Sequence, residues 1–233
     1  MRLPALIFFL AAWFVGAAHA APLAPGEYIG TGGDSLEIKA AGSDGSQAFS
    51  IFSMGANAHF CDIQDSLRDG RAQVKSDFDD TCRIDFVRDA KGVQVRAQGE
   101  ACRSLCGTRA WFEGLYYRPA PACTRTAVAR TRDEFLKLYQ GKQYAQARAR
   151  LAPLLAQCGK LLYYTEDAEV RNDLAVTLYH LGERAACRRV LEPWRKVAAQ
   201  SDAQINANYP PADAINFSDI AGKTRANLRL CRR

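Results

Sequence analysis

The hydrophobic pattern of this chain changes period once, at Pro119-Ala120-Pro121, and that switch limits the fold more than any other feature. Ahead of it, apolar and polar residues alternate. Ser35-Leu36-Glu37-Ile38-Lys39-Ala40, Arg71-Ala72-Gln73-Val74-Lys75, Arg83-Ile84-Asp85-Phe86 and Val93-Gln94-Val95-Arg96 each gather their apolar side chains on one face. Antiparallel strands with one packed and one wet face read this way. Asp44-Gly45, Asp69-Gly70 and Asp89-Ala90-Lys91-Gly92 separate the runs as turns. About seven strands follow, in GEYIGT, SLEIKA, QAFSIFS, RAQVK, CRIDFV, VQVRA and RAWFEGLYY, and they predict a small antiparallel β-barrel or sandwich over residues 21–120. Behind the prolines the spacing becomes helical: Val128, Phe135, Tyr139; Tyr144, Ala147, Leu151, Leu154, Cys158; Val170, Leu174, Leu178, Leu181; Cys187, Val190, Leu191, Trp194, Val197. Residues 121–233 are therefore predicted helical, and the fold class α+β. Thr131 with Glu134 reads as a helix start, and Gly141 and Gly182 as helix ends. Residues 201–217, polar and carrying Pro210-Pro211, read as a loop.

The helical half repeats itself. LYQGKQYAQARARLAP (138–153) and LYHLGERAACRRVLEP (178–193) align without a gap at a period of 40, with Ala147 matching Cys187 at a small-residue slot. The second copy, over 165–194, resembles a tetratricopeptide repeat; residues 131–158 resemble it less closely. The period exceeds the usual ~34 and the signature tryptophan is missing, so the resemblance implies a diverged helix-turn-helix pair. Two such units are fewer than the three usually needed, so docking on the β-half or capping by residues 218–233 is expected.

The first twenty residues, MRLPALIFFLAAWFVGAAHA, have the layout of a secretory signal: Arg2, an apolar run from Leu6 to Val15, and a small-x-small end at Ala18-His19-Ala20. Export, with periplasmic residence and no membrane insertion after cleavage, is the expectation. In an oxidising compartment the eight cysteines, at 61, 82, 102, 106, 123, 158, 187 and 231, read as a disulfide set. Cys102 and Cys106 test that reading. A structural zinc site wants a second short pair, which is missing. A redox centre wants Cys-x-x-Cys at a helix start, and this spacing has one residue too many. The two cysteines are expected to bridge each other or to reach other partners. Cys61 with Cys82 is expected to staple two strands, and Cys158 with Cys187 to pin two helices. No cofactor is expected.

Other residue types invite chemistry and fall short of it. His59 and His180 have no Gly-x-Ser-x-Gly elbow or free thiol to activate; His59 reads as a loop histidine beside a disulfide. Asp77, Asp79 and Asp80, and Glu166, Asp167 and Glu169, read as solvated turn and helix-start charge rather than a glycosidase pair. A formal net charge of +6, spread over both halves, is too diffuse for a nucleic-acid footprint. It favours acidic partners. Arg148, Arg150, Arg184, Arg188, Arg189 and Arg195 recur at helical spacing, either as a solvated face or as a basic groove for an acidic partner. Alternation sets Trp111 and Phe112 on opposite faces of a predicted strand, so one of them should leave the core.

An exported β-domain of this size, stapled by disulfides, resembles the bacterial periplasmic lysozyme inhibitors and immunity proteins. The resemblance rests on export, size and β-architecture over 26–118; the inhibitors' own loop motif is missing. It implies a non-enzymatic protein that blocks a peptidoglycan-degrading enzyme or secreted toxin by protein–protein contact. The contact surface expected from the loops is Asn57, His59, Arg103, Arg109 and Trp111, with Arg148 and Arg188 on the helical half. The alternative is an envelope adaptor whose repeat-like half holds a peptide or protein partner.

Overall fold

The computed structural model describes residues 21–76 and 80–232; the expected signal segment, Asp77 and Asp79 lie outside these residues. Eight antiparallel strands, β1 (Gly26–Gly30), β2 (Ser35–Ile38), β3 (Gln47–Met54), β4 (Phe60–Leu67), β5 (Arg71–Lys75), β6 (Thr81–Asp89), β7 (Gly92–Gln98) and β8 (Gly114–Tyr117), form one sheet in the order β4-β3-β2-β1-β8-β7-β6-β5. Its edges, β4 and β5, are consecutive in sequence, so the sheet curls until they meet. They meet at one end only, through the Arg68↔Arg71 bridge, which leaves a nearly closed barrel. The alternation read from sequence fills its interior: Leu36, Ile51, Ile84 and Val95 are fully buried. Each such side chain contributes about 1.5–3 kcal/mol by leaving water.

Two strands differ from expectation. β4 is absent from the predicted set because Asp62, Gln64, Asp65 and Ser66 crowd polar residues around the three inward ones, Cys61, Ile63 and Leu67. The run RAWFEGLYY forms a strand only from Gly114. The Glu113 carboxylate accepts the backbone N–H of Ala97 at 2.6 Å, taking the donor that a longer β7–β8 ladder would use. Even outside a strand, Phe112 points inward and is fully buried while Trp111 is half-exposed.

Cys102 and Cys106 explain how the open end of the barrel is held. Between β7 and β8 a 3-10 segment, Glu100–Leu105, packs against β4, β6 and β7. Cys106 bonds to Cys61 at the start of β4, and Cys102 to Cys82 at the start of β6. The pair does not bridge itself; it joins both sides of the gap to one loop. The expected Cys61–Cys82 bond is thereby overturned. The two residues sit on strands that are not sheet neighbours, opposite Ser53 and Val74 respectively.

The helical region comprises α1 (Arg125–Gln140), α2 (Tyr144–Cys158), α3 (Tyr164–His180), α4 (Arg184–Val190), α5 (Arg195–Ala198), α6 (Asp202–Asn208) and α7 (Pro211–Leu230). Neighbours in sequence pack as α1 on α2, α2 on α3 and α3 on α4, with α7 closing against α3. Ala147 and Cys187, matched in the internal alignment, are both fully buried. Gly141 and Gly182 follow helix ends as expected. Thr131 is not a cap: it lies inside α1 and donates to the Ala127 carbonyl, while Thr124 accepts from the Ala127 N–H at the true start. The expected loop over 201–217 is helical from Asp202 to Asn208 and again from Pro211. Ser201 and Gln204 form a reciprocal cap, and Pro211 takes the first position of α7, where its missing N–H costs nothing.

Two disulfides staple this half. Cys123, in the turn before α1, bonds to Cys158 at the end of α2, and Cys187 of α4 to Cys231 just after α7. The expected Cys158–Cys187 bond is overturned because α3 packs between α2 and α4. Asn172 of α3 donates to the Thr224 hydroxyl and accepts from the Asn227 amide, so the buried α3–α7 seam is polar and satisfied. Among the described residues no helix is long and apolar enough to cross a membrane.

Candidate functional site

The disulfide-locked end of the barrel gathers four of the expected contact residues. Arg103, on the 3-10 segment, holds its guanidinium 5.3 Å from the centre of the Trp111 ring and pairs with Glu100 at 3.5 Å. The Trp111 indole N–H donates to the Glu113 carboxylate at 2.7 Å, and its carbonyl accepts from the Ser53 hydroxyl at 2.6 Å. Its ring also lies against Phe112 at 5.2 Å. Trp111 is thus fixed in place with a face left for Arg103 and solvent. Arg109 is exposed on the adjoining turn, whose carbonyl would sit 1.9 Å from a Cβ at Gly55, so only glycine lets these two loops touch. His59 packs on the backbone of Gly107 beside the Cys61–Cys106 bond; a Cβ at Gly107 would meet its Nδ1 at 2.6 Å. All eight cysteines are bonded, so His59 has no thiol to activate.

Asn57 is engaged within the molecule. It sits at φ 57°, a conformation asparagine tolerates better than most residues, and faces the start of α7. Its side-chain oxygen accepts from the Ala212 N–H at 3.1 Å, and its own N–H donates to the Asp213 carboxylate at 2.8 Å. A barrel loop therefore caps a helix of the other half. Arg125 makes a second bridge, donating to the Gly33 carbonyl at 2.8 Å and pairing with Glu27 at 3.6 Å. Gly33 sits at φ 93°, and a Cβ placed there would come within 2.8 Å of the Tyr163 Cβ. Gly33→Ala is expected to cost about 1–3 kcal/mol through strain and overlap, seen as a lower unfolding midpoint in urea with faster proteolysis at the junction.

Beside these bridges lies a cleft of about 490 Å3 between barrel and helices. Ile29, Phe52 and Met54 line it from the outer face of the sheet, Val128, Leu161 and Leu162 from the helices. Phe60, 51% exposed, stacks on Phe52 and carries the apolar surface outward. Asp34, Arg125, Tyr163, Thr165 and Glu166 are the polar residues of its wall. Burial raises the Asp34 pKa above the ordinary value, offset by the nearby Ser53 hydroxyl, the Met54 amide and the Arg125 charge. Burial likewise holds the Tyr163 phenol neutral far above its usual range.

A second groove, about 530 Å3, runs along α1, α3 and α7 and is lined by Arg132, Leu136, Glu169, Asp173 and Lys223 among others. Leu136 is 50% exposed. Desolvation pushes the Asp173 pKa up to about 6, with Arg132 opposing, Glu169 adding and Lys223 opposing. A carboxyl raised in the fold favours folding while protonated. Its contribution is whole below pH ~4 and is lost as the pH rises through ~6. Asp173→Asn is expected to raise the melting temperature at pH 7.5 and leave it unchanged at pH 4, read from paired thermal melts.

No protein family, curated protein or solved structure matches the chain.

The remaining expected contact residues are tied up within the molecule to different degrees. Arg148 pairs with Glu183 at the α3–α4 turn. Arg188 donates to the Cys231 carbonyl at 2.9 Å. Arg184 lies on the Tyr179 ring, 4.1 Å from its centre. His180 is exposed and stacks on Tyr144 at 4.2 Å. Among the described residues no group of three or more His, Cys, Asp or Glu is placed to hold a metal ion. The cleft and the α1–α3–α7 groove escape sequence reading because each is assembled from segments far apart in the chain. The apolar outward residues of β3, Phe52 and Met54, are the available signal.

Proposed function

We propose that this is an exported, non-enzymatic binding protein that blocks a peptidoglycan-degrading enzyme or secreted toxin by contact. The observation that carries the reading is the Arg103–Trp111 pair on a loop tied by two disulfides. Arginine and tryptophan are the residues that most often dominate an interface. A loop that is already rigid loses little entropy on docking. The contact surface in this reading is Arg103, Arg109 and Trp111, with His59 at its edge; Asn57 is reassigned to holding the two halves together. Capture from envelope extract on the immobilised oxidised chain tests it. A hydrolase retained in equal stoichiometry, and released when Arg103→Glu is used as bait, is the expected result. Retention of envelope assembly proteins alone removes the inhibitor reading.

The adaptor reading is favoured by a different observation, the groove of α1, α3 and α7 with exposed Leu136 and the desolvated Asp173. A peptide lying there would be unaffected by Arg103→Glu and weakened by Leu136→Glu.

A further inference from the structure

Arginine recurs through the helical region, and most of it is answered locally. Arg132 pairs with Glu169, Arg148 with Glu183, Arg150 with Glu134, Arg171 with Asp167 and Arg225 with Asp202. At the junction of α4, α5 and the end of α7 this pattern stops. Arg188, Arg189, Arg195 and Arg232 line one groove of about 690 Å3, with Glu192 and Leu228 beside them. Glu192 pairs with Arg195 at 3.5 Å. Among the described residues no carboxylate lies within 4.0 Å of the guanidinium of Arg188, Arg189 or Arg232. The groove is also held in shape. Arg188 donates to the Cys231 carbonyl, and the Cys187–Cys231 bond fastens α4 to the end of α7.

We propose that this groove binds an acidic peptide segment of a protein partner. Among the described residues, four guanidinium groups against one carboxylate concentrate positive potential in a concave surface, which draws and retains anions. Guanidinium forks with open donors match carboxylates in two-point contact. The charges are spread over α4, the first residue of α5 and the second residue after α7, so they suit a run of carboxylates rather than one small ion. Leu228 supplies an apolar strip for the segment's carbon chain. This site is separate from the barrel surface and stands whether or not that surface blocks an enzyme.

Fluorescence anisotropy with a labelled hexaglutamate peptide tests it, at low ionic strength of about 20 mM. Arg189→Glu with Arg232→Glu replaces two exposed groups that make no ion pair among the described residues. Arg130→Glu with Lys160→Glu makes the same charge change elsewhere on the helical surface. Affinity is expected to fall about 100-fold in the groove variant, roughly tenfold per lost pair, and to stay within about threefold in the other. Arg189→Gln with Arg232→Gln should weaken binding in the same direction, which keeps the test open if the glutamates perturb folding. Equal loss in both charge-reversed proteins, no binding by the unsubstituted chain, or full displacement of the peptide by millimolar inorganic phosphate would each overturn the proposal.

Discussion

Removing both barrel disulfides with Cys102→Ala and Cys106→Ala is expected to unfold the barrel's open end and give the largest stability loss of any paired substitution considered. The bonds close loops of 45 and 20 residues. Chain entropy makes each worth about 3–4 kcal/mol taken alone. The two loops overlap in sequence, so the pair removes less than the sum, about 4–6 kcal/mol. Domain stabilities are only about 5–15 kcal/mol, so most of the barrel's margin goes. The ladder cannot compensate, because β4 and β5 pair only at the Arg68–Arg71 end. Urea unfolding followed by tryptophan fluorescence separates the halves, since Trp111 reports on the barrel and Trp194 on the helices. An early transition at Trp111 with the Trp194 transition displaced less is the expected result. Coincident loss at both would show the halves to be one cooperative unit, coupled through Asn57 and Arg125.

Trp111→Ala is expected to weaken binding to the proposed partner strongly while sparing the fold. The ring is half-exposed, packs on Phe112 at the margin of the barrel core and lies beneath Arg103, so stability should fall by about 1 kcal/mol. Truncating a central aromatic of an interface costs about 2–4 kcal/mol, roughly 30- to 1000-fold in affinity. Calorimetric titration of the captured partner with the two proteins reads this directly. An unchanged affinity would take Trp111 off the contact surface.

Much of the architecture is legible in the sequence because it is local. Alternation over SLEIKA, RAQVK and VQVRA gives strands whose inward residues are those expected. The change of period at the prolines falls between the end of β8 at Tyr117 and the start of α1 at Arg125. The disulfide pairing is not legible. Which of 105 connectivities forms depends on strand order, and strand order depends on long-range pairing that spacing does not record. Cys61 and Cys82 look like partners in sequence, yet the strands carrying them are brought together only through the 100–106 loop. β4 is hidden by its own polarity, and α6 by Pro210-Pro211, which outweigh the capping signature of Ser201 and Gln204. Asn57 shows why contact residues are the least legible. Its loop position and polarity suit a partner surface, and only the fold reveals that the start of α7 already occupies it.

The most direct measurement is lysis of a peptidoglycan suspension, followed by turbidity, by envelope extract or by the secreted proteins of a competing bacterium. The oxidised chain is added in increasing amounts, beside its Trp111→Ala form. Lysis is expected to slow to a plateau at a fixed stoichiometry with the unsubstituted chain and to proceed undiminished with Trp111→Ala. Lysis unaffected by either protein across both sources, or slowed equally by both, would contradict a blocking role for the Trp111 surface.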